Sequence, residues 1–321
     1  MSAVAKSNPE TSINASRGKG AIWGRIFIRL VWVPGLILQA MRVRRLRRQT
    51  KAERDEELQL YAELIPNGFL HYGYFHNPDI QGEEISFTAL DRAQHDYVQK
   101  LADHISDSIN PVLDVGCGMG GIAFMLEAQN YEVVALTPDQ HQARYIRSKN
   151  PGFSLVESDF ESFDDKNCHG KFGTVLTAES LQYLDLEVSL PKIARLLQQD
   201  GRWIACDYFR MNSVENSSGH VWQHFCDRVQ AHGMRIVSRE DITENVLPTL
   251  KFASLMAQRF VYPAYRFLLA KIRRKAPVLH YIFEEFFESV DAKLQRNLKT
   301  IDPEHFFSNK RYLLLVIEKA D

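Results

Sequence analysis

PVLDVGCGMGGIAFMLEAQ, residues 111–129, reads as strand, turn and helix in quick succession. Val112 to Val115 is a short apolar run, the pattern of a parallel strand buried on both faces. A glycine-rich turn follows, and then a helix with apolar positions at Ile122, Phe124, Met125 and Leu126. The pattern repeats downstream. Tyr131 to Leu136 reads as a strand, and 138–149 as a helix stopped by Asn150-Pro151-Gly152. Phe153 to Val156 and Thr174 to Thr177 are further strands, and a helix over about 187–199 stops before Gly201. Arg202 to Cys206, Met234 to Arg239 and 311–320 complete seven strands. This alternation predicts an α/β fold, a mostly parallel sheet with helices on both faces. Ligands of such sheets sit beyond the carboxyl ends of the strands.

The turn itself has a defined chemistry. Gly116, Gly118 and Gly120 remove side chains where a ligand must approach backbone, and the helix start that follows presents N–H groups. Asp114 puts a carboxylate just below the turn. This D-x-G-x-G-x-G spacing differs from the dinucleotide fingerprint G-x-G-x-x-G. An acid there repels a pyrophosphate and suits a ligand with a cationic head, which argues against a dinucleotide oxidoreductase. A purely structural turn of any α/β protein is the bland alternative.

VLDVGCGMGG resembles the first motif of class I S-adenosylmethionine-dependent methyltransferases. The resemblance implies a Rossmann-like seven-stranded sheet, S-adenosylmethionine as cofactor, and Cys117 among the turn residues that touch it. In ALTPDQHQARYI (135–146), Thr137 and Gln142 stand where most members place a ribose-holding acid. That departure is similar to the branch of prenylquinol and sterol C-methyltransferases and cyclopropane fatty acid synthases; Asp139 is the acid that could substitute. Asp159 and Phe160 resemble the pair that reads the adenine amino group and packs its ring. Glu179 in AESLQYL matches the branch's acidic position, with Tyr183 where many relatives carry His. LHYGYF (70–75), with His71 and Tyr72, resembles the segment that closes over the methionine part. The resemblance covers roughly 65–320. It implies methyl transfer to a lipid-like acceptor such as a prenylated ring, sterol or lipid. A soluble metabolite as acceptor, or a non-catalytic sensor or scaffold, are the alternatives. Transfer needs the nucleophile aligned with the S–CH₃ bond and a group to accept a proton. Candidates are Glu179, His71, Tyr72, Tyr183 and Asp207, the last in IACDYF after the fifth strand.

Composition sets the class around this body. With 45% hydrophobic and 25% charged residues, the 321-residue chain is that of a globular protein and not of a disordered or collagenous one. Four cysteines show neither a metal spacing nor a disulfide framework, which predicts a reducing compartment. His220 and His224 lie four apart without a complete ligand set, so no metal site is expected.

Charge is unevenly placed. Residues 1–50 hold ten Lys/Arg against Glu10, giving +9, while 51–321 sum to −10. Within this arm, 1–20 has the composition of a disordered segment, and AIWGRIFIRLVWVPGLILQAM (21–41) is followed by RVRRLRR. Arg25, Arg29 and Pro34 interrupt the apolar run, so it predicts a segment lying in a membrane interface and not one spanning it. A helix packed on the body and an organelle transit peptide are the competing readings; a secretory signal is not expected. Before the last strand, 245–310 reads as a helical cap insertion. From Asn245 to Phe283 there is no acid, while Lys251, Arg259, Arg266, Lys271, Arg273, Arg274 and Lys275 alternate with aromatic and aliphatic groups. The segments 21–48 and 251–275 together predict a peripheral protein on an anionic, cytoplasmic membrane face. No nucleic-acid motif is present.

Overall fold

A computed structural model describes residues 68–105, 110–212 and 218–320. The sequence expectations for 1–50 lie outside the described residues.

The chain enters through an irregular segment, 68–81, then a helix α1 (Phe87–Ala102) capped by the Ser86 hydroxyl, which accepts from Ala89 N. Strand β1 (Val112–Val115) leads into helix α2 (Gly121–Ala128), and β2 (Val133–Thr137) into α3 (Gln140–Lys149). Strands β3 (Leu155–Glu157) and β4 (Phe172–Ala178) follow, then α4 (Leu186–Leu196), β5 (Leu197–Arg210), α5 (Trp222–Ala231), β6 (Met234–Asp241) and α6 (Thr243–Met256). After α7 (Tyr262–Lys275), α8 (Pro277–Ile282) and α9 (Glu284–Thr300), helix α10 (Pro303–Asn309) leads into β7 (Lys310–Lys319).

The seven strands form one sheet in the order β3-β2-β1-β4-β5-β7-β6. The first five pair in parallel, while β7 runs antiparallel between β5 and β6. Strand β1 is therefore central and buried throughout, as its unbroken apolar run requires. The strand order reverses direction beside β1, the position at which open α/β sheets bind ligands.

Side chains alternate between two core layers. Val112, Ile204 and Leu314 pack on one face with Tyr97, Ala123 and Val246. Leu113, Ala205 and Leu315 pack on the other with Leu190, Ile193 and Phe225.

Residues 68–256 and 299–320 make one compact unit, and 257–298 a second. Helix α6 thus belongs with the sheet, burying Val246, Leu250 and Phe252, although it opens the acid-free stretch. In the second unit the Tyr265 hydroxyl donates to the Phe287 carbonyl (3.1 Å), and the His280 and Phe287 rings stack at 5.7 Å.

Candidate active site

The site is built at the carboxyl ends of β1, β2, β4 and β5. At β1 the turn is strapped down by its backbone: Gly116 N and Cys117 N both donate to the Leu136 carbonyl, at 2.8 and 3.0 Å. Gly116 has φ +76, and a Cβ there would stand 2.5 Å from that of Ser180. Gly118 also has a left-handed φ, but a Cβ there would meet only Leu70, at 3.5 Å, so the turn's backbone is open to approach at this point. Gly120 caps α2. The Cys117 side chain is buried in the first core layer, so this residue's contribution to the site is its backbone.

Asp114 is buried, and its Oδ2 has no hydrogen-bond partner among the described residues. Desolvation pushes its carboxyl up to about 7. A buried carboxylate oxygen without a donor is costly unless a ligand supplies one. It fits a cationic group at the glycine turn.

At the end of β2 the Thr137 hydroxyl donates to Gln142 Oε1 at 2.6 Å. That commits the Gln142 carbonyl and leaves its amide nitrogen to donate, the reverse of what an acid would do for ribose hydroxyls. Asp139 caps α3, its Oδ1 accepting from both His141 N and Gln142 N, so one carboxylate oxygen is committed to the helix start. Beyond β3, Asp159 is exposed and accepts from Ser162 N at 2.7 Å. Hydrogen bonds from Ser162 hold its carboxyl below the usual range. Phe160 departs from the expected role: its ring is buried in the second core layer, so it packs on the protein and not on a ligand face.

Glu179 lies just past β4 with φ +57, a left-handed backbone that non-glycine residues seldom adopt. The conformation turns its carboxylate across the strand ends. Oε1 accepts from Tyr72 N at 2.6 Å and from the Tyr312 hydroxyl at 2.7 Å. The Tyr312 hydroxyl in turn lies 2.9 Å from that of Tyr97. Burial raises the Glu179 carboxyl to about 8 against the pull of these two donors, with the Asp207 charge adding to the rise. Asp207 lies within β5, three residues before its end and not after the strand as the sequence predicts; it is buried and raised to about 7 by desolvation. Its Oδ1 accepts from Tyr208 N (2.8 Å) and its Oδ2 from Gln182 N (3.1 Å). With both oxygens engaged it orients the turn after β4, whereas Glu179 has both donors on one oxygen.

His71 is buried, and its ring stacks on Tyr97 at 4.5 Å. Nδ1 lies 2.7 Å from the Tyr72 carbonyl, so Nδ1 carries the proton and Nε2 is a buried acceptor without a partner among the described residues. Burial holds the ring neutral, at about 4. The Tyr72 ring meets Tyr312 edge-on at 5.4 Å and Phe306 at 6.2 Å, and Tyr208 meets Phe306 at 5.8 Å. An aromatic wall therefore runs beside Glu179. Tyr183 is 79% exposed and stands on the rim, outside this network. Tyr312, Tyr97 and Tyr208 carried no signal in the sequence: buried strands and helices contain tyrosines as packing groups.

Comparison with known proteins agrees with this geometry. A family model described as "Methyltransferase domain" matches residues 112–201. These residues are a methyltransferase domain. It spans the glycine turn, Thr137, Asp159 and Glu179. An uncharacterized methyltransferase of Bacillus mycoides (strain KBAB4) is 24% identical over 143 residues, which cover 43% of this chain and 65% of that relative. The chain thus matches just under two thirds of the length of such relatives. Among solved structures, geranyl diphosphate C-methyltransferase from Streptomyces coelicolor A3(2) superposes with a TM-score of 0.56 at 14% identity, covering 81% of this chain and 92% of that one. The cyclopropane synthase MmaA2 from Mycobacterium tuberculosis gives 0.58 at 13% identity, covering 80% and 92%. At such identities the likeness is one of fold, and the fold is the Rossmann-like one of class I S-adenosylmethionine-dependent methyltransferases. The expectation carried by VLDVGCGMGG is borne out at the level of domain and fold. Among the described residues no helix of the methyltransferase body or of the second unit is long and apolar enough to cross a membrane.

Proposed function

We propose that the protein transfers a methyl group from S-adenosylmethionine to a hydrophobic, lipid-like acceptor. The observation that carries the reading is the buried Asp114 carboxylate, whose Oδ2 has no partner among the described residues, at an open glycine turn on the same strand-end rim as Glu179. When bound, the cofactor supplies an activated methyl group on a sulfonium. Asp114 and the backbone of Gly116 to Gly120 hold its amino-acid end, Thr137 and Gln142 the ribose, and Asp159 the adenine edge. Tyr72 closes over the methionine part, and its backbone N–H fixes Glu179. Glu179 accepts the proton that the acceptor sheds, and a nearby positive charge favours its ionised form. Tyr72 and Tyr208, half-buried against Phe306 and Tyr312, offer an aromatic surface that suits a hydrocarbon acceptor. Two fold neighbours are named for lipid-like chemistry, a geranyl diphosphate methyltransferase and a cyclopropane synthase.

An anionic membrane surface on the cytoplasmic side completes the reading. In the second unit Phe260, Val261, Phe267 and Leu268 are exposed. Phe260 and Val261 lie in the π-helical turn Ala257–Val261 and Phe267 and Leu268 in α7, with exposed Arg259, Arg266 and Arg273 among them. Such a basic, apolar surface is what an anionic bilayer attracts.

The experiment combines calorimetry with S-adenosylmethionine and transfer of labelled methyl to lipid extracts. Binding with a product heavier by one methylene unit is expected. A folded protein that ignores the cofactor at millimolar concentration refutes the methyl-transfer reading. Flotation with phosphatidylserine liposomes tests the surface: full-length protein should float, and a chain lacking 1–50 with Arg266→Glu and Arg273→Glu should not.

A further inference from the structure

Lys192, on α4, is buried, yet its ammonium donates to three backbone carbonyls: Phe160 at 2.9 Å, Glu161 at 2.7 Å and Phe163 at 2.8 Å. An ammonium has three N–H donors, and all three are used on one short segment. The ammonium also lies 5.6 Å from the centre of the Phe160 ring. Three carbonyls converging on one point repel each other and lose their solvation unless a cation sits between them. The conformation of 159–163 is therefore one that needs Lys192.

The same segment is tied to α4 from its other side. Glu161 Oε1 accepts from Asp185 N, the N-cap of α4, at 3.0 Å. Its own hydrogen bonds are local: Ser162 N to the Asp159 carboxylate and Phe163 N to the Asp159 carbonyl. These bonds shape a turn whose exposed tip is Asp159, at the strand-end rim. Because Phe160 is turned inward, the tip can read a ligand only with the Asp159 carboxylate and backbone, so its placement must be set from behind.

We propose that Lys192 is a positioning residue for the adenine end of the cofactor: its ammonium cage holds 159–163 in the shape that presents Asp159 to the ring. This rests on the cofactor reading above. Removing the cage leaves the glycine turn, Thr137 and Glu179 in place and loosens only the adenine contact.

Adenosine and S-adenosylhomocysteine are the probes, used on the full chain by calorimetry, with amide hydrogen exchange alongside. In the native protein adenosine should slow exchange at Ser162 and Phe163. Lys192→Met and Lys192→Gln should weaken adenosine by roughly tenfold or more, the scale of a lost charge-assisted contact. The same factor should appear for S-adenosylhomocysteine, measured well below each variant's unfolding temperature. Unchanged adenosine affinity in either folded variant overturns the proposal. So does an absence of protection over 159–163 in the native protein, which decides the matter if both variants fail to fold. A native protein that binds neither probe refutes the cofactor reading itself.

Discussion

The Tyr312 hydroxyl reaches Glu179 Oε1 at 2.7 Å, across 133 residues of sequence. The antiparallel insertion of β7 beside β5 makes this possible, because it delivers the start of the last strand to the carboxyl end of β4. With Tyr72 N on the same oxygen, the pair partly offsets a desolvation that otherwise keeps the acid protonated.

Tyr312→Phe removes one of the two donors to Glu179, together with the hydroxyl that partners Tyr97. The hydrogen bond favours the ionised form, so its loss raises the Glu179 carboxyl further above 8. The alkaline-side rise of the pH–rate profile should move to higher pH. Activity near neutrality should fall by roughly tenfold, as for one lost hydrogen bond to a charged group, and recover in part near pH 9. A profile that drops equally at all pH values would show that the hydroxyl serves another purpose.

Glu179→Gln keeps the shape and removes the proton acceptor. Turnover should fall by roughly 10² to 10⁴, the usual range for a general base, while calorimetric affinity for S-adenosylhomocysteine changes far less. Asp207→Asn should lose less turnover, because both oxygens of Asp207 are engaged by backbone N–H groups. A reversed ranking in single-turnover assays would move the base to Asp207.

The ligand-free protein should lose stability as pH rises from 6.5 to 8. Asp114 and Asp207 titrate near 7 and Glu179 near 8 in the folded chain, against 3.8 and 4.5 when unfolded. Across that window the folded state holds more protons than the unfolded one, so stability falls with pH. His71, at about 4 against 6.5, acts in the opposite sense, but only below pH 6.5. The expected loss is on the order of 2 kcal/mol. Thermal melts at pH 6.5 and 8 measure it, and a flat profile would contradict the burial of these three acids.

The strand-turn-helix at β1 was legible because a buried central strand is apolar without interruption and glycine marks the turn. Strand β5 was legible only over Arg202 to Cys206, whereas it runs from Leu197 to Arg210. Its first residues, Leu197 to Gln199, read as the end of the preceding helix and Gly201 as its stop, whereas they begin the strand; an irregular register near Phe172 and Thr174 accommodates them. The acid-free stretch suggested an insertion beginning at Asn245, but α6 packs on the sheet because absence of acids says nothing about which face is buried. At the site, Asp114, Glu179 and Asp207 could be named from sequence. Lys192 and Tyr312 could not, since each acts on a partner brought near only by the tertiary fold.

Gly116→Ala tests the turn. The new methyl would meet the Ser180 side chain at 2.5 Å on a backbone of φ +76. Ser180 cannot retreat freely, because its hydroxyl is bonded to the Val115 carbonyl at 2.5 Å. Destabilisation of about 2 kcal/mol or more is expected from strain and overlap together, read as a lowered denaturant midpoint.

Asp114→Asn separates stability from binding. The native side chain is a buried acid with an unpartnered oxygen, which burdens the ligand-free protein whenever it ionises. An amide of the same shape carries no charge, so the variant should melt higher than the native chain at pH 8 and by a smaller margin at pH 6. Its affinity for S-adenosylmethionine should nevertheless fall by roughly 100-fold, the scale of a lost charged hydrogen bond in a dry site. Higher stability with lower affinity marks a carboxylate kept for a cationic ligand and not for the fold. A variant that melts lower and binds normally would place the cofactor's ammonium elsewhere.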